Sequence, residues 1–169
     1  MAGHVIHLAV AQEYIKKHEK EKFDYSNFIE GVLFPDSVTD KSKTHYGEIS
    51  PKVNLYEFLK ENKLNNQFNR GYFLHLLTDY LFYNHYISRI STDLYDDYDI
   101  LNSKLIEKYK VIIPEKVKNQ VFFKQGALKI LSLELMEKMI KEISEMDIDI
   151  ITNKINKNPE GWRNLIIEK

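Results

Sequence analysis

A chain of 169 residues with 24 basic and 25 acidic side chains is long enough to bury one substantial core. Its formal charge of −1 argues against a protein that holds nucleic acid by phosphate attraction. The absence of cysteine excludes disulfides, thiolate metal sites and cysteine nucleophiles, and leaves His, Asp and Glu as the available metal ligands.

The N-terminal Met1-Ala2-Gly3-His4 lacks the basic and then apolar regions of a signal peptide. No apolar run approaches the roughly 20 residues that span a bilayer. The expectation is a cytoplasmic protein of one domain over residues 1–169, with no transmembrane segment and no nucleic-acid partner.

Helical periodicity dominates, and the alternation of half-buried strands is nearly absent. Val5, Leu8, Ala9, Ala11, Tyr14 and Ile15 predict a first helix over residues 4–19. Ser26 is placed to cap a short second helix carrying Phe28, Ile29 and Val32, and Pro35 stops it by pushing the preceding residue out of the helical region. Residues 36–52 are polar, contain Gly47 and Pro51, and read as a loop. Leu55, Phe58 and Leu59 mark a third helix, and residues 66–90 a long fourth with Gly71 near its start. A fifth carries Tyr98, Leu101, Leu105, Ile106 and Tyr109 and ends before Pro114. Further helices are expected over 115–124, 126–145 and 148–157, followed by a turn at Pro159-Glu160-Gly161-Trp162 and a short tail. The expected fold is one all-α bundle without repeat or linker.

The densest chemistry lies in Gly71-Tyr72-Phe73-Leu74-His75-Leu76-Leu77-Thr78-Asp79. His75 and Asp79 are four residues apart, so one helix face presents an imidazole and a carboxylate amid apolar neighbours. Burying both is costly without compensation, and a metal ion is the most economical partner. A core histidine satisfied by its neighbouring carboxylate is the plainer account of such a pair taken alone.

Other groups stand beside it. All six histidines (His4, His7, His18, His45, His75 and His85) lie in the first half of the chain, with Gly31, Gly47 and Gly71, whose missing side chains permit close backbone approach. Phe34-Pro35-Asp36 sets a carboxylate just beyond a helix stop, Thr44-His45-Tyr46-Gly47 sets an imidazole in the following loop, and His7 rides on the first helix. Singly these read as a turn residue, a solvated loop residue and a surface residue. Together they form a dispersed His/Asp donor set.

The order His7, Pro35-Asp36, His45 and His75-x-x-x-Asp79, in the segments Val5–Ala11, Phe28–Asp36, Thr44–Gly47 and Gly71–Asp79, resembles the zinc-dependent phospholipase C family, whose helical fold is shared with P1-type nucleases. The resemblance covers the first half of the chain and implies a metal site among the N-terminal helices. By it, Asp36, His45, His75 and Asp79 would hold one zinc, and His7 a second, with Asp79 bridging the two. His85 would serve a further ion or point to solvent, because six residues turn a side chain about 240° away from the face of Asp79.

The implied activity is that of a metal-dependent phosphoric-ester hydrolase, a phosphodiesterase or phospholipase C-like enzyme, acting on a small phosphate ester or a phospholipid headgroup. Metal-activated water would be the nucleophile, with Asp36 both ligand and acceptor of the water's proton. One or two zinc ions are expected, iron or manganese being compatible with the carboxylate share. The family's later His-x-x-x-Glu pair is missing, since no histidine follows position 85, and its N-terminal tryptophan is not present. Both departures count against a third ion.

Arg70, Lys41 and Lys43 lie near these motifs and could meet phosphate oxygens, or serve only as solubilising charges. Asp93, Asp96, Asp97 and Asp99 read as a solvated acidic cluster, and the tyrosines around the long helix as core packing. Two rivals stand beside the hydrolase: a non-catalytic helical protein with a structural metal site, and an HD-type phosphohydrolase, which would need an adjacent His-Asp dipeptide that this chain lacks.

Overall fold

The computed structural model describes residues 2–18, 23–49 and 51–163, and these contain helices, turns and no strand. Among the described residues eight α-helices follow one another: α1 (His4–His18), α2 (Tyr25–Leu33), the single-turn α3 (Ser42–His45), α4 (Leu55–Glu61), α5 (Gln67–Leu81), α6 (Asp93–Tyr109), α7 (Leu133–Ser144) and α8 (Ile148–Lys157). Residue 19, the last of the expected first helix, and the tail beyond 163 lie outside the described residues.

Two helices make the centre. α1 is buried continuously from Val5 to Gln12, and α5 from Gly71 to Leu81. Their apolar residues surround the helix instead of striping one side, so each needs neighbours all round. α5 packs most extensively on α2, while α1 lies against α2, α5, α6 and α7. Four buried phenylalanines (Phe28, Phe58, Phe73 and Phe82) belong to this one core.

Side-chain caps define where helices begin. Asp24, Asn54, Asn66, Ser132 and Asp147 each accept a backbone N–H from the first turn of α2, α4, α5, α7 and α8 respectively. The cap of α2 is therefore Asp24 and not Ser26: its carboxylate accepts from Asn27 N at 3.1 Å, which draws Ser26 into the first turn.

Three expected helices are shorter or tighter than the sequence pattern implies. The long fourth helix leaves α geometry after Leu81 and finishes in a wide π turn, Phe82–Tyr86, closed by Ile87 N on Phe82 O. There the Asn84 side chain donates to Tyr80 O and competes for the helical ladder. The segment expected to be helical over 115–124 is a 3-10 turn, Glu115–Gln120, followed by extended chain. That chain is strapped to α6 by Asn102 Nδ2 on Phe122 O (2.8 Å) and Lys124 N on Asp99 O (3.1 Å).

Residues 126–132 are not helical either, and α7 starts only at Leu133. Gly126 adopts φ +156°, and the N–H groups of Lys129, Ile130 and Leu131 all turn to the Asp97 carboxylate at 2.8–2.9 Å. Asp97 is thus fully buried and anchors this segment, not part of a solvated cluster. Asp93 and Asp96 do sit at the surface, paired with Lys129 and Lys124. Among the described residues no helix is long and apolar enough to cross a membrane.

Candidate metal centre

The crossing of α2 and α5 creates the first part of the site. A Cβ on Gly31 would lie 1.9 Å from Phe68 O, and a Cβ on Gly71 would lie 2.0 Å from Phe28 O. Only glycine allows this approach. It brings the end of α2 against α5, where Val32 O accepts from His75 Nδ1 at 2.7 Å. A carbonyl can only accept, so the His75 proton is on Nδ1 and Nε2 is left to face inward.

The loop after α2 supplies the next donors. Pro35 starts a 3-10 turn, Phe34–Asp36, that carries the Asp36 carboxylate into the interior. Thr44 Oγ1 donates to Pro35 O (2.8 Å), and Tyr72 OH on α5 donates to Thr44 O (2.7 Å). The segment expected to be plain loop is thereby pinned, and His45, in α3, is fully buried. His45 Nδ1 donates to Lys41 O at 3.1 Å, so its Nε2 also faces inward. Thr44 and Tyr72 lie within the quoted motifs, but their supporting role is not legible there, because their hydrogen bonds join positions far apart in sequence.

Five side chains converge: His7 from α1, Asp36, His45, and His75 with Asp79 from α5, each at most 8 % exposed. Asp79 is central and uses its two oxygens differently. Oδ2 lies 3.1 Å from His45 Nε2 and 3.4 Å from His75 Nε2, whereas Oδ1 faces His7 Nε2 at 3.2 Å and accepts from Ala2 N at 2.8 Å. His45 Nε2 and His75 Nε2 are 3.4 Å apart. Asp36 closes the group, Oδ1 at 3.7 Å from His45 Nε2 and Oδ2 at 3.9 Å from His75 Nε2. The His7 and His75 rings stack at 3.7 Å, nearly parallel.

These atoms fit a cation. A tetrahedral ion with bonds of roughly 2.0–2.1 Å sets its donors about 3.3 Å apart, which is the spacing of His45 Nε2, His75 Nε2 and Asp79 Oδ2. The donor atoms of Asp36, His45 and His75, and those of His7, His75 and Asp79, all lie within 4.8 Å of one another. Asp36 Oδ2 and both ring nitrogens of His7 are buried without a hydrogen bond. His7 Nε2 is close to Asp79 Oδ1, but the pair lacks hydrogen-bond geometry. Leaving such groups unpartnered costs about 1–3 kcal/mol each, a cost that a bound cation would relieve.

No family model, curated protein or solved structure matches this chain.

Protons stand where the cation would. Burial pulls the His75 imidazole down, but Asp36 and Asp79 outweigh it and hold it above its ordinary value. For His7, burial and the neighbouring His75 act together and push it down to about 4, so the two stacked rings are not charged at once. Burial raises the two carboxyl groups, yet the imidazoles prevail: His75 leads in holding Asp36 low, and His7 in holding Asp79 well below the usual carboxylate range.

The remaining candidates lie elsewhere. His85 is exposed on the π turn, its ring 6.2 Å from that of Tyr80, and does not join the converging groups. His4 bonds Gln120 Oε1 and His18 bonds Ser144 O. Arg70 pairs with Asp149 on α8, and the highly exposed Lys43 pairs with Asp40. Lys41 alone of the three basic candidates reaches the cluster, at 3.0 Å from Asp36 Oδ1.

Proposed function

We propose that this protein is a metal-dependent phosphoric-ester hydrolase, a phosphodiesterase or phospholipase C-like enzyme, with zinc the favoured ion and iron or manganese compatible with the donors. What carries the proposal is the convergence of three imidazole Nε2 atoms and two carboxylates, with the Nδ1 sides of His45 and His75 turned outward. His75 Nδ1 is spent on Val32 O and His45 Nδ1 on Lys41 O, as metal-bound histidines spend theirs. A divalent cation held there by these residues would supply Lewis acidity, bringing the pKa of water to about 7 and offsetting charge on a phosphoryl oxygen.

The residues divide the work. His45, His75 and Asp79 Oδ2 form the tightest triangle and would hold one ion, with Asp36 as the fourth donor. An imidazole nitrogen has one lone pair and serves one ion, but the two oxygens of Asp79 can serve two. His7 and Asp79 Oδ1 would therefore begin a second site. Asp36 would bind through Oδ2, which is buried and without a hydrogen bond, and its second oxygen, Oδ1, would accept the proton lost by water.

One observation favours a second reading. All five donors are buried, which suits a closed structural site as well as a catalytic one. Elemental analysis of protein purified from metal-replete medium, with hydrolysis of bis(p-nitrophenyl) phosphate measured with and without chelator, separates the two. The hydrolase predicts bound metal and chelator-sensitive turnover that His75→Ala abolishes. Bound metal without turnover leaves the structural site, and no metal removes both.

A further inference from the structure

Lys41 touches two members of the centre at once. Its ammonium lies 3.0 Å from Asp36 Oδ1, and its carbonyl accepts from both the backbone N–H (2.8 Å) and the ring Nδ1 (3.1 Å) of His45. The carbonyl contact fixes the His45 tautomer with Nε2 turned inward. The ammonium contact occupies one Asp36 oxygen and leaves Oδ2, which has no hydrogen bond, facing His75 Nε2. Asp36 is almost wholly buried here, whereas the Lys41 side chain remains 27 % exposed, so the lysine stands between the donors and solvent.

We infer that Lys41 is a positioning residue for the metal centre: its ammonium orients Asp36 as a one-oxygen ligand and sets both the affinity for a divalent cation and the charge that the loaded site presents to an anion. The inference rests on the metal-dependent function proposed above. Charge arithmetic gives it content. Asp36, Asp79 and one divalent cation sum to zero, and Lys41 makes the total +1. A neutral loaded site has no net attraction for a phosphate oxygen, whereas a positive one does. Lysine meets such an oxygen as a point charge, from the solvent side where it already stands.

Outer partners of metal ligands are worth about 10- to 100-fold in affinity. Lys41→Met should therefore weaken zinc binding by that factor, measured by competition with a chromophoric chelator, and Lys41→Arg should restore most of it. Because the carbonyl contact to His45 survives both substitutions, they isolate the effect on Asp36. Urea unfolding of the chelated variants measures separately the stability lost when the buried Asp36 Oδ1 gives up its ammonium partner, so that a folding defect is not read as lost affinity. In the zinc-loaded protein, binding of inorganic phosphate should fall with Lys41→Met and recover with Lys41→Arg.

Unchanged zinc affinity in Lys41→Met overturns the inference and leaves the metal centre standing. Tighter binding also overturns it, since Lys41 would then be a rival cation for Asp36 and not its positioning partner. Wild-type protein that binds no zinc, iron or manganese removes the metal centre and the role of Lys41 together.

Discussion

Gly31 and Gly71 lie on opposite sides of the α2–α5 crossing, Gly31 against the Phe68 carbonyl and Gly71 against that of Phe28, each leaving room for the other helix's backbone where any side chain would collide. This contact does more than pack two helices. It sets the distance between Val32 O and His75 Nδ1, and through it the direction in which His75 Nε2 points. A methyl group at either position must push the helices apart, because a carbonyl within 2.0 Å of the added carbon cannot rotate away.

Gly71→Ala should therefore cost stability at the upper end of the usual 1–3 kcal/mol for overpacking, although alanine is the better helix former. Equilibrium urea unfolding checks the loss, and metal titration should show a parallel fall in affinity. Gly3→Ala is the contrasting case: its Cβ would meet the Tyr98 ring at 3.2 Å, a side chain that can yield by a few tenths of an ångström.

What the sequence shows of this site depends on the distance over which each position is determined. His75 and Asp79 are legible because helical spacing alone puts them on one face, and Asp36 because Pro35 ends a helix beside it. The placement of His45 is not. It needs Thr44 on Pro35 and Tyr72 on Thr44, hydrogen bonds between segments whose approach is set by the glycine crossing. Asp97 illustrates the converse. Reading residues 126–132 as helix assigns their N–H groups to their own carbonyls and leaves Asp97 with nothing to bond, hence a place at the surface. In the structure those N–H groups are withheld from the helix and bonded to the carboxylate, so the non-helical segment and the buried Asp97 have one cause.

Asp97 yields a prediction of its own. Hydrogen bonds to a charged group contribute about 1.5–3 kcal/mol, and three backbone N–H groups depend on this carboxylate. Asp97→Ala should lower stability by at least about 3 kcal/mol and loosen residues 126–132 selectively. Hydrogen exchange should show lost protection at Lys129, Ile130 and Leu131, with the protection of α1 and α5 lowered only to the extent of global stability. Metal affinity should be unchanged at concentrations that keep the variant folded, since Asp97 is not among the converging donors.

The stacked pair His7 and His75 makes the metal-free protein sensitive to pH on both sides. His7 has a folded pKa near 4 against an unfolded value near 6.5, so its neutral form is favoured by the fold. Its contribution is whole above pH 6.5 and is lost as pH falls through 4, by about 3 kcal/mol for a shift of this size. His75 is displaced upward, so the stability linked to its proton is whole below pH 6.5 and is lost as pH rises through its folded value. The two slopes oppose each other and set a stability maximum near pH 6.5 in the chelated protein. His7→Gln should flatten the acid limb between pH 6.5 and 4 and leave the alkaline limb in place, which Tm measured against pH in the presence of chelator would show. A metal ion at Nε2 would displace the second proton that His75 carries when charged and leave the one on Nδ1, so loading should release protons near neutral pH and move the maximum upward. Calorimetric titration of zinc in buffers of different ionisation enthalpy measures that release directly, and its absence would show that His75 takes no part in binding the ion.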